Sequence, residues 1–365
     1  MGGSLDRFSR RQLLKAGITG VAAVGLSPLL SACSDPDESQ LVFLNWQDYI
    51  DPTMLDDFSD ASGLRVTYET YASNDELQRR LALAAASRRR GREGDTFDLI
   101  VPSENLLTQL RSVDGLQELD KEIVVSLGNL AEQFREEPFD PGNRFSVPWA
   151  TGTTGIGFDI TVFSEPPDWN VFVDTTYQGR MTILDETRDA FAAALFALGE
   201  DPNTTDPAVI DAAADRLIEA KAVILGFDSA TYLDKLAGGD LVCAEAYSSD
   251  VEIAKRDNPN LEFVIPAAGG LRWIDSLCIP VDAANPQGAN TFIEFYLQPE
   301  ISATNAVASQ VDTGNEAALE FVPAAVVDNP VIFPPAATLD VLSFTEDLGD
   351  ANALYTDAWA RVHED

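Results

Sequence analysis

Short apolar runs and helix-type patterns alternate along the chain from residue 41 onward. Residues 41–44 are apolar, residues 52–61 have helical spacing, and residues 64–70 return to the β-branched alternation of a strand. Gly63, between the last two segments, is typical of a helix C-terminus. The spacing therefore predicts a strand, a helix and a second strand in succession.

The same alternation continues toward the C-terminus. Asn74 predicts the N-cap of a helix that ends in the arginine-rich residues 87–90, and residues 97–101 follow as a buried-type strand. Residues 181–184 and 241–246 are further strand candidates around long helical stretches. Strand–helix–strand units at this spacing indicate an α/β protein with a mainly parallel sheet. The length of 365 residues is that of roughly two domains.

Aromatic and acidic side chains recur at or beside the ends of the predicted strands. In open α/β sheets, ligands bind at the carboxyl ends of the strands. In this chain the residues there are Trp46, Tyr49, Ser103, Glu186, Asp189, Tyr247, Asp250, Trp273 and Asp275. Carboxylates offset the charge of an ammonium group, and aromatic faces add ~0.5–2 kcal/mol per cation–π contact. The pattern favours an organic polycation as the ligand.

Two other interpretations of these acids stay open. Glu186 and Asp189 are three residues apart, so both can face one side of a helical turn. Acids at a helix start also complement the helix dipole without binding any ligand. Two carboxylates are all that a retaining glycosidase needs, although no catalytic motif accompanies them in this chain.

The composition argues against several other classes of protein. The chain has 60 acidic and 24 basic side chains, a formal net charge of −36, and a hydrophobic fraction of 45% that is normal for a folded protein. Such a field repels nucleic acid. One histidine, His363, and three cysteines provide almost nothing for histidine catalysis or for a metal site. We therefore predict no nucleic-acid partner, no cofactor, no metal and no catalysis that depends on histidine.

The acidity also bears on the medium in which the protein works. A net charge of −36 favours a protein that works in high salt, where screening reduces self-repulsion. A merely solvated acidic surface would have the same composition.

Residues 1–32 have the features of a secretory signal. An arginine pair at residues 10–11, which resembles a twin-arginine signal, precedes an apolar run over residues 16–30. That run is shorter than the ~20 residues that span a bilayer. The segment that ends at Cys33 resembles a lipobox, in which cleavage precedes the cysteine and its thiol receives a lipid. We predict an exported lipoprotein, in the periplasm or at the cell surface, with residues 33–40 as a tether.

A set of segments distributed over the chain carries a family resemblance. They are residues 45–52, 97–103, 139–143, 146–149, 152–157, 189–191, 203–207, 273–277, 292–297 and 299–300. In this order they resemble the periplasmic spermidine/putrescine-binding proteins, which are the receptors of polyamine ABC transporters. The resemblance implies a two-lobed periplasmic-binding-protein fold of type II, with mainly parallel sheets joined by hinge strands.

The resemblance also implies individual roles in a ligand site. Trp46 and Trp273 match two aromatic walls, Tyr49 matches a phenol near one end of the ligand, and Ser103 matches a polar residue after the second strand. Asp275 matches a carboxylate that faces a central amine.

Further acids, and departures from the family pattern, bear on the ligand's identity. Glu186 and Asp189 match acids that hold ammonium groups in spermidine-type members, and Asp250 matches an acid of putrescine-type members. Three binding positions depart from the family's usual residues: Asn105, Tyr247 and Thr345. Possession of both sets of acids favours a di- to tetra-amine.

The resemblance further implies a closing motion and a membrane partner. The lobes would comprise residues 41–149 with 277–322 and residues 150–276 with 330–365. The crossings between them would lie near residues 149–151, 275–277 and 322–330. Closure would bury the amine, and an ABC transporter permease would recognise the closed monomer, held at the membrane by lipid on Cys33. Cys243 and Cys278 are predicted to be buried free thiols in strands beside the hinge.

Two alternative functions remain at this point. A binding protein of the same fold could take another cationic amine or a metal complex. An extracellular glycoside hydrolase is the more distant alternative.

Overall fold

The computed structural model describes residues 39–47, 49–90 and 96–364, without the side chain of Ala336. The predicted signal over residues 1–32 and the predicted lipidation site Cys33 lie outside these residues. The first strand begins at Gln40, which is the last residue of the predicted tether.

Strands and helices alternate as the hydrophobic pattern predicts. The strands are β1 (Gln40–Trp46), β2 (Arg65–Tyr71), β3 (Leu99–Ile100), β4 (Ser146–Asp159), β5 (Met181–Ile183), β6 (Gly226–Phe227), β7 (Cys243–Tyr247), β8 (Leu261–Val264), β9 (Gly270–Cys278) and β10 (Leu342–Ser343).

The helices connect these strands and cover the sheet. They are α1 (Met54–Ser62), α2 (Asn74–Arg89), α3 (Glu104–Ser112), α4 (Glu132–Arg135), α5 (Thr187–Leu198), α6 (Pro207–Lys221), α7 (Tyr232–Gly238), α8 (Ser248–Ala254), α9 (Pro286–Tyr296), α10 (Pro299–Ser309), α11 (Ala324–Val327), α12 (Ala336–Leu339) and α13 (Asn352–His363). Short 3₁₀ turns lie at Ser126–Asn129, Trp169–Val173, Thr175–Tyr177, Glu316–Glu320 and Gly349–Ala351.

The strands form one mixed sheet that is parallel towards its two ends and antiparallel in its centre. Its order is β2-β1-β3-β9-β4-β7-β5-β6, with β10 beside β9 and β8 beside β4. β1 pairs in parallel with β2 and β3, and β5 pairs in parallel with β6 and β7. β4 pairs antiparallel with β7, β8 and β9. The α/β class predicted from the sequence is confirmed.

β4 and β9 lie next to each other in the middle of the sheet and contain two of the stretches that were predicted to connect the lobes. Their pairing extends from Ser146 opposite Cys278 to Thr154 opposite Leu271, with an irregularity after Pro148, which has no N–H to donate. Residues 149–151 and 275–277 both lie in this paired stretch. The third predicted crossing, residues 322–330, contains the short helix α11 and no strand.

Buried apolar side chains form two main clusters that share β4. One is built on β1, β3, α1 and α9, with Phe43 and Phe292 ring centroids 5.0 Å apart. The other is built on β5, β7, α5, α6 and α13, with Phe191 and Tyr355 5.2 Å apart in an edge-to-face arrangement. The strand ends between these clusters are therefore held by a packed core on each side.

The two cysteines of the sheet are buried free thiols, as predicted. Cys243 lies in β7 and Cys278 ends β9, and both are fully buried. Burial raises the pKa of the Cys243 thiol, so it stays protonated and unreactive. Among the described residues, none of the helices has both the length and the apolar character required to cross a bilayer.

The predicted cap of α2 is wrong by one residue. Ser73, not Asn74, is the N-cap: its backbone is extended and its Oγ accepts a hydrogen bond from the Glu76 N–H at 3.0 Å. Glu76 Oε2 in turn accepts from the Ala72 N–H at 3.1 Å, close to the reciprocal pattern of a capping box. Asn74 is therefore the first residue of the helix, with its backbone N–H free for another partner.

Candidate functional site

The predicted site residues converge on one cavity of about 230 Å³. All eleven line its wall: Trp46, Tyr49, Ser103, Asn105, Glu186, Asp189, Tyr247, Asp250, Trp273, Asp275 and Thr345. They come from the ends of β1, β3, β5 and β7, from β9 and from the segment after β10. The carboxyl ends of neighbouring strands thus place residues distant in the sequence side by side.

Trp273 of β9 stands between two phenol rings of the wall. Its ring lies 6.3 Å from that of Tyr49, and 6.0 Å from that of Tyr247 in an edge-to-face arrangement. Opposite Trp273 in the sheet is Gly152, where an added Cβ would lie 2.4 Å from the indole. The missing side chain at Gly152 therefore makes the room in which this indole lies.

Trp46 forms a second part of the aromatic wall, at the end of β1. Its Nε1–H donates to the Val101 carbonyl at 2.9 Å, and its ring lies 4.7 Å from that of Tyr71. These contacts fix the orientation of an indole that is only half-buried. An aliphatic chain between such rings would be held by apolar contact.

Asp275 is the buried acid of β9. It is 6% exposed and accepts hydrogen bonds from Ser103 Oγ at 2.6 Å and from the Tyr49 hydroxyl at 3.0 Å. Burial raises the pKa of Asp275 to about 7, even though the Ser103 and Tyr49 hydrogen bonds lower it. Among the described residues no Lys or Arg side chain forms an ion pair with this carboxylate, so desolvation dominates.

Glu186 and Asp189 provide two more acids where β5 leads into α5. Glu186 is 6% exposed, and its Oε1 accepts from the Asn74 N–H at 2.8 Å. Asp189 Oδ1 accepts from Thr154 Oγ1 at 3.0 Å. Burial, and then the charge of Asp189, raises the pKa of Glu186 well above the usual glutamate value. Burial raises the pKa of Asp189 to about 6, against the lowering effects of Thr154 and Arg188.

Asp250 lies in the first turn of α8. It accepts a hydrogen bond from the Tyr232 hydroxyl, which also accepts from the Tyr247 N–H at 3.3 Å. The Tyr232 hydroxyl thus connects the Asp250 carboxylate to the backbone of Tyr247, and both Asp250 and Tyr247 line the cavity.

Sequence reasoning missed several polar residues of the cavity wall, among them Glu104, Asn74 and Arg188. Glu104 follows Ser103 and is 3% exposed, yet nothing singled it out beside its neighbour. The sequence predicts Asn74 as a helix cap. In the structure its backbone N–H donates to Glu186 Oε1, and its side-chain amide donates to Ser103 Oγ at 3.1 Å. Arg188 lies beside the acids and stacks on the Tyr355 ring at 4.7 Å. The signal available for Glu104 was an acid three residues after the buried-type strand predicted over residues 97–101.

The wall chemistry suits a cation with an apolar stem. Within the described part of the chain, Glu104, Glu186 and Asp275 are buried and form no ion pair with a Lys or Arg side chain, and indole and phenol rings line the same cavity. Within the described ranges no group of three or more His, Cys, Asp or Glu side chains has the arrangement to hold a metal ion.

Comparison with known proteins extends these observations. Residues 53–334 match the model of the bacterial extracellular solute-binding protein family, and residues 11–88 match that of a hypothetical lipoprotein family. A spermidine/putrescine-binding periplasmic protein of Salmonella typhimurium is 30% identical over 94% of this chain and 97% of the relative. A putrescine/cadaverine-binding protein of Pseudomonas aeruginosa is 31% identical over 85% of this chain and 89% of the relative.

A solved structure confirms the fold that the sequence resemblance implied. The spermidine/putrescine ABC transporter substrate-binding protein PotD from Streptococcus pneumoniae is 27% identical, with a TM-score of 0.73 over 89% of this chain and 98% of that structure. The resemblance and the predicted periplasmic-binding-protein fold are both confirmed.

Proposed function

The chain belongs to the bacterial extracellular solute-binding protein family, and from that premise we propose that it binds polyamines of the putrescine and spermidine type in this cavity and delivers them to an ABC importer. The observation that carries the proposal is the convergence of predicted aromatic and acidic residues on one wall. The named ligands of the two relatives, spermidine, putrescine and cadaverine, support the same ligand class.

The physical basis of binding is the exchange of water for carboxylates around each ammonium group. A hydrogen bond with a charged partner contributes ~1.5–3 kcal/mol net, and this gain must offset the desolvation of the amine. Asp275, Asp189 and Glu186 are already desolvated by the fold, which lowers the further cost at the moment of binding. Trp46 and Trp273 cover the methylene stem and add cation–π attraction.

Ligand-driven closure would couple binding to delivery. In this proposal the lobes are residues 41–149 with 277–322 and residues 150–276 with 330–365. The two core clusters and the paired β4 and β9 support this division. Buried acids repel one another when no cation is present, so the empty cleft favours opening and a bound amine favours closing. The permease would recognise the closed form.

Export and anchoring complete the proposed role. Residues 1–32 would direct export to the periplasm or cell surface, Cys33 would carry the lipid, residues 33–40 would form the tether, and the protein would act as a monomer. Membrane fractionation of cells that produce the Cys33→Ala variant tests the anchor. The variant should move to the soluble fraction, and its retention in the membrane would contradict lipid anchoring.

A fluorescence titration tests amine binding directly. Putrescine, spermidine, spermine and agmatine are added to the purified protein while tryptophan emission is followed. A saturable change is expected, and Trp273→Phe should reduce it and weaken binding. Trp169→Phe is the matched control, because that indole packs on Phe196 at 5.9 Å in the core and does not line the cavity. No saturable response to any amine at low or high salt would contradict the proposal.

A further inference from the structure

Glu104 is a further buried carboxylate on the cavity wall. It begins α3, directly after Ser103, and is 3% exposed. Its Oε2 accepts from the Ile274 N–H of β9 at 3.0 Å, and its Oε1 accepts from Thr345 Oγ1 at 2.9 Å. The side chain therefore joins three segments of the wall.

Glu104 lies within electrostatic range of acids on two other elements. Its charge raises the pKa of Asp275 on β9, and the charge of Asp189 on α5 raises the pKa of Glu104. Arg188 on α5 also feels the charge of Glu104, although it makes no direct ion pair with it among the described contacts. Glu104 therefore interacts electrostatically with both Asp275 and Asp189.

The hydrogen bonds to Glu104 leave its carboxylate able to bind a cation. Ionised carboxylates offer about four lone-pair positions, and one donor reaches each oxygen here. Burial raises the pKa of Glu104 to about 7, although the bonds from Ile274 and Thr345 lower it. Two uncharged donors therefore do not offset the desolvation of the carboxylate, whereas an ammonium group would.

We propose that Glu104 is a specificity-determining residue, which binds an ammonium group that a diamine lacks and so makes the site prefer amines with three or more ammonium groups. This inference rests on the proposed function as an amine-binding protein. Thr345 and the Ile274 N–H act as positioning groups that direct the carboxylate.

The charge of the wall supports a ligand of higher charge than a diamine. Six carboxylates and two guanidinium groups line the cavity, which gives a formal charge of −4 when all are ionised. A diamine offsets only part of this charge, so more of the wall acids stay protonated in its complex. A triamine or tetra-amine offsets more of the charge and leaves fewer acids to be protonated.

Calorimetric titration with putrescine, spermidine and spermine tests the inference. The wild-type protein should bind spermidine and spermine at least about tenfold more tightly than putrescine. Glu104→Gln keeps an acceptor for the Ile274 N–H but removes the charge, and should weaken spermidine binding by about 10- to 100-fold, which corresponds to ~1.5–3 kcal/mol. Putrescine binding should change by less than about threefold.

Glu294→Gln is the matched control. Glu294 also accepts a side-chain hydroxyl bond, from Ser126 at 2.6 Å, and backbone N–H bonds from Val125 and Ser126, but it lies outside the cavity wall. Its substitution removes the same charge and should leave the ratio of spermidine to putrescine affinity unchanged. If the Glu104→Gln protein kept the same ratio of spermidine to putrescine affinity as the wild-type protein, the proposed role of Glu104 would be overturned.

A measurement on the wild-type protein keeps the inference testable if Glu104→Gln does not fold. Titrations near pH 6.5 in buffers of different ionisation enthalpy count the protons released on binding. Spermidine should release more protons than putrescine, because it holds more wall acids in the ionised form. Equal affinity and equal release for both amines would overturn the inference alone, whereas failure to bind any amine would overturn the proposed function as well.

Discussion

Gly152 determines whether Trp273 can take its place in the wall. A Cβ at this position would lie 2.4 and 2.6 Å from indole carbons and 3.0 Å from Ser248 Oγ. Gly152→Ala should lower the free energy of unfolding by about 1–3 kcal/mol, because the indole must move. It should also reduce the fluorescence response to amines. Gly128→Ala, which meets open space, is the control in the same thermal and titration measurements.

The reduced fluorescence response to amines distinguishes displacement of the Trp273 indole from a loss of stability alone. If Gly152→Ala retained wild-type stability and amine affinity, Trp273 would have room to spare and the close packing against β4 would be contradicted.

Buried acids give the ligand-free protein an unusual dependence on pH. The pKa values of Asp275 and Asp189 are raised to about 7 and about 6, while carboxyls of an unfolded chain titrate near ~4. Between these values the folded state holds protons that the unfolded state has released. The free energy of unfolding should therefore fall as the pH rises from ~4 through about 7, as measured by denaturant titration.

Amine affinity should follow the opposite trend, because only ionised acids offset an ammonium charge. The dissociation constant for spermidine should fall about tenfold or more between about pH 5.5 and about pH 7.5. Asp275→Asn should flatten both trends, because asparagine does not titrate. Its amide oxygen can accept from one of the two hydroxyls, Ser103 or Tyr49, while its NH2 group can donate to the oxygen of the other. Unfolding free energy that rises over this range in the ligand-free wild-type protein would contradict the assignment.

The side chains of the site were predictable only in part. Position at a strand end, with aromatic and acidic type, identified Trp46, Glu186 and Trp273 from local sequence. Asn105 and Thr345 came from the family resemblance, because nothing in their own surroundings marks them. Glu104 escaped both, since its burial results from contacts with Ile274 and Thr345 that are 170 and 241 residues away in the sequence.

At the scale of elements, the N-terminus of α2 faces Glu186, the acid that precedes α5. The Asn74 N–H donates to Glu186 Oε1 at 2.8 Å, so a helix N-terminus with its partial positive charge faces this carboxylate. Asn74 is the first residue of α2, where proline is tolerated, and the preceding Ser73 already has the extended backbone that proline requires. Asn74→Pro therefore removes this N–H without breaking the helix.

A pair of variants isolates the contribution of that backbone bond. Asn74→Ala loses the side-chain bonds to Ser103 but keeps the N–H, whereas Asn74→Pro loses both. A charge-assisted bond contributes ~1.5–3 kcal/mol, so the proline variant should bind spermidine about tenfold or more weakly than the alanine variant. Circular dichroism should show equal helix content. If calorimetry gave the two variants equal affinity for spermidine, the hydrogen bond from the Asn74 N–H to Glu186 would make no contribution to binding.

Element boundaries were predictable where a local signal set them. The predicted helix end at Gly63 is confirmed, because its φ of 76° is a backbone conformation that glycine adopts without strain. The strand predicted over residues 97–101 shortens to Leu99–Ile100, which are the residues that pair with β1 and β9. Serine and asparagine are both favoured N-cap residues, so Ser73 and Asn74 are both candidates. Glu76 lies three residues after Ser73, which is the capping-box spacing, and therefore favours Ser73 as the cap.

At the scale of the whole molecule, two kinds of negative charge respond differently to salt. The surface contributes most of the net charge of −36, and its self-repulsion is screened over ~10 Å at 0.1 M salt and ~3 Å at 1 M. Glu104, Glu186 and Asp275 of the cavity are buried, so screening reaches them much less. Salt should therefore stabilise the fold as a whole while leaving the closure mechanism in place.

Small-angle scattering and thermal unfolding at both salt concentrations test this separation. The unfolding temperature of the ligand-free protein should rise by several degrees from about 0.1 M to about 1 M NaCl, because surface repulsion is screened. Saturating spermidine should reduce the radius of gyration at both concentrations, because the repulsion that favours the open cleft is local and buried. Glu186→Gln combined with Asp189→Asn should make the ligand-free form more compact, since it removes much of that repulsion. An open-to-closed change that disappeared at high salt would mean that surface charge, and not the buried acids between β4, β9 and α5, keeps the empty cleft open.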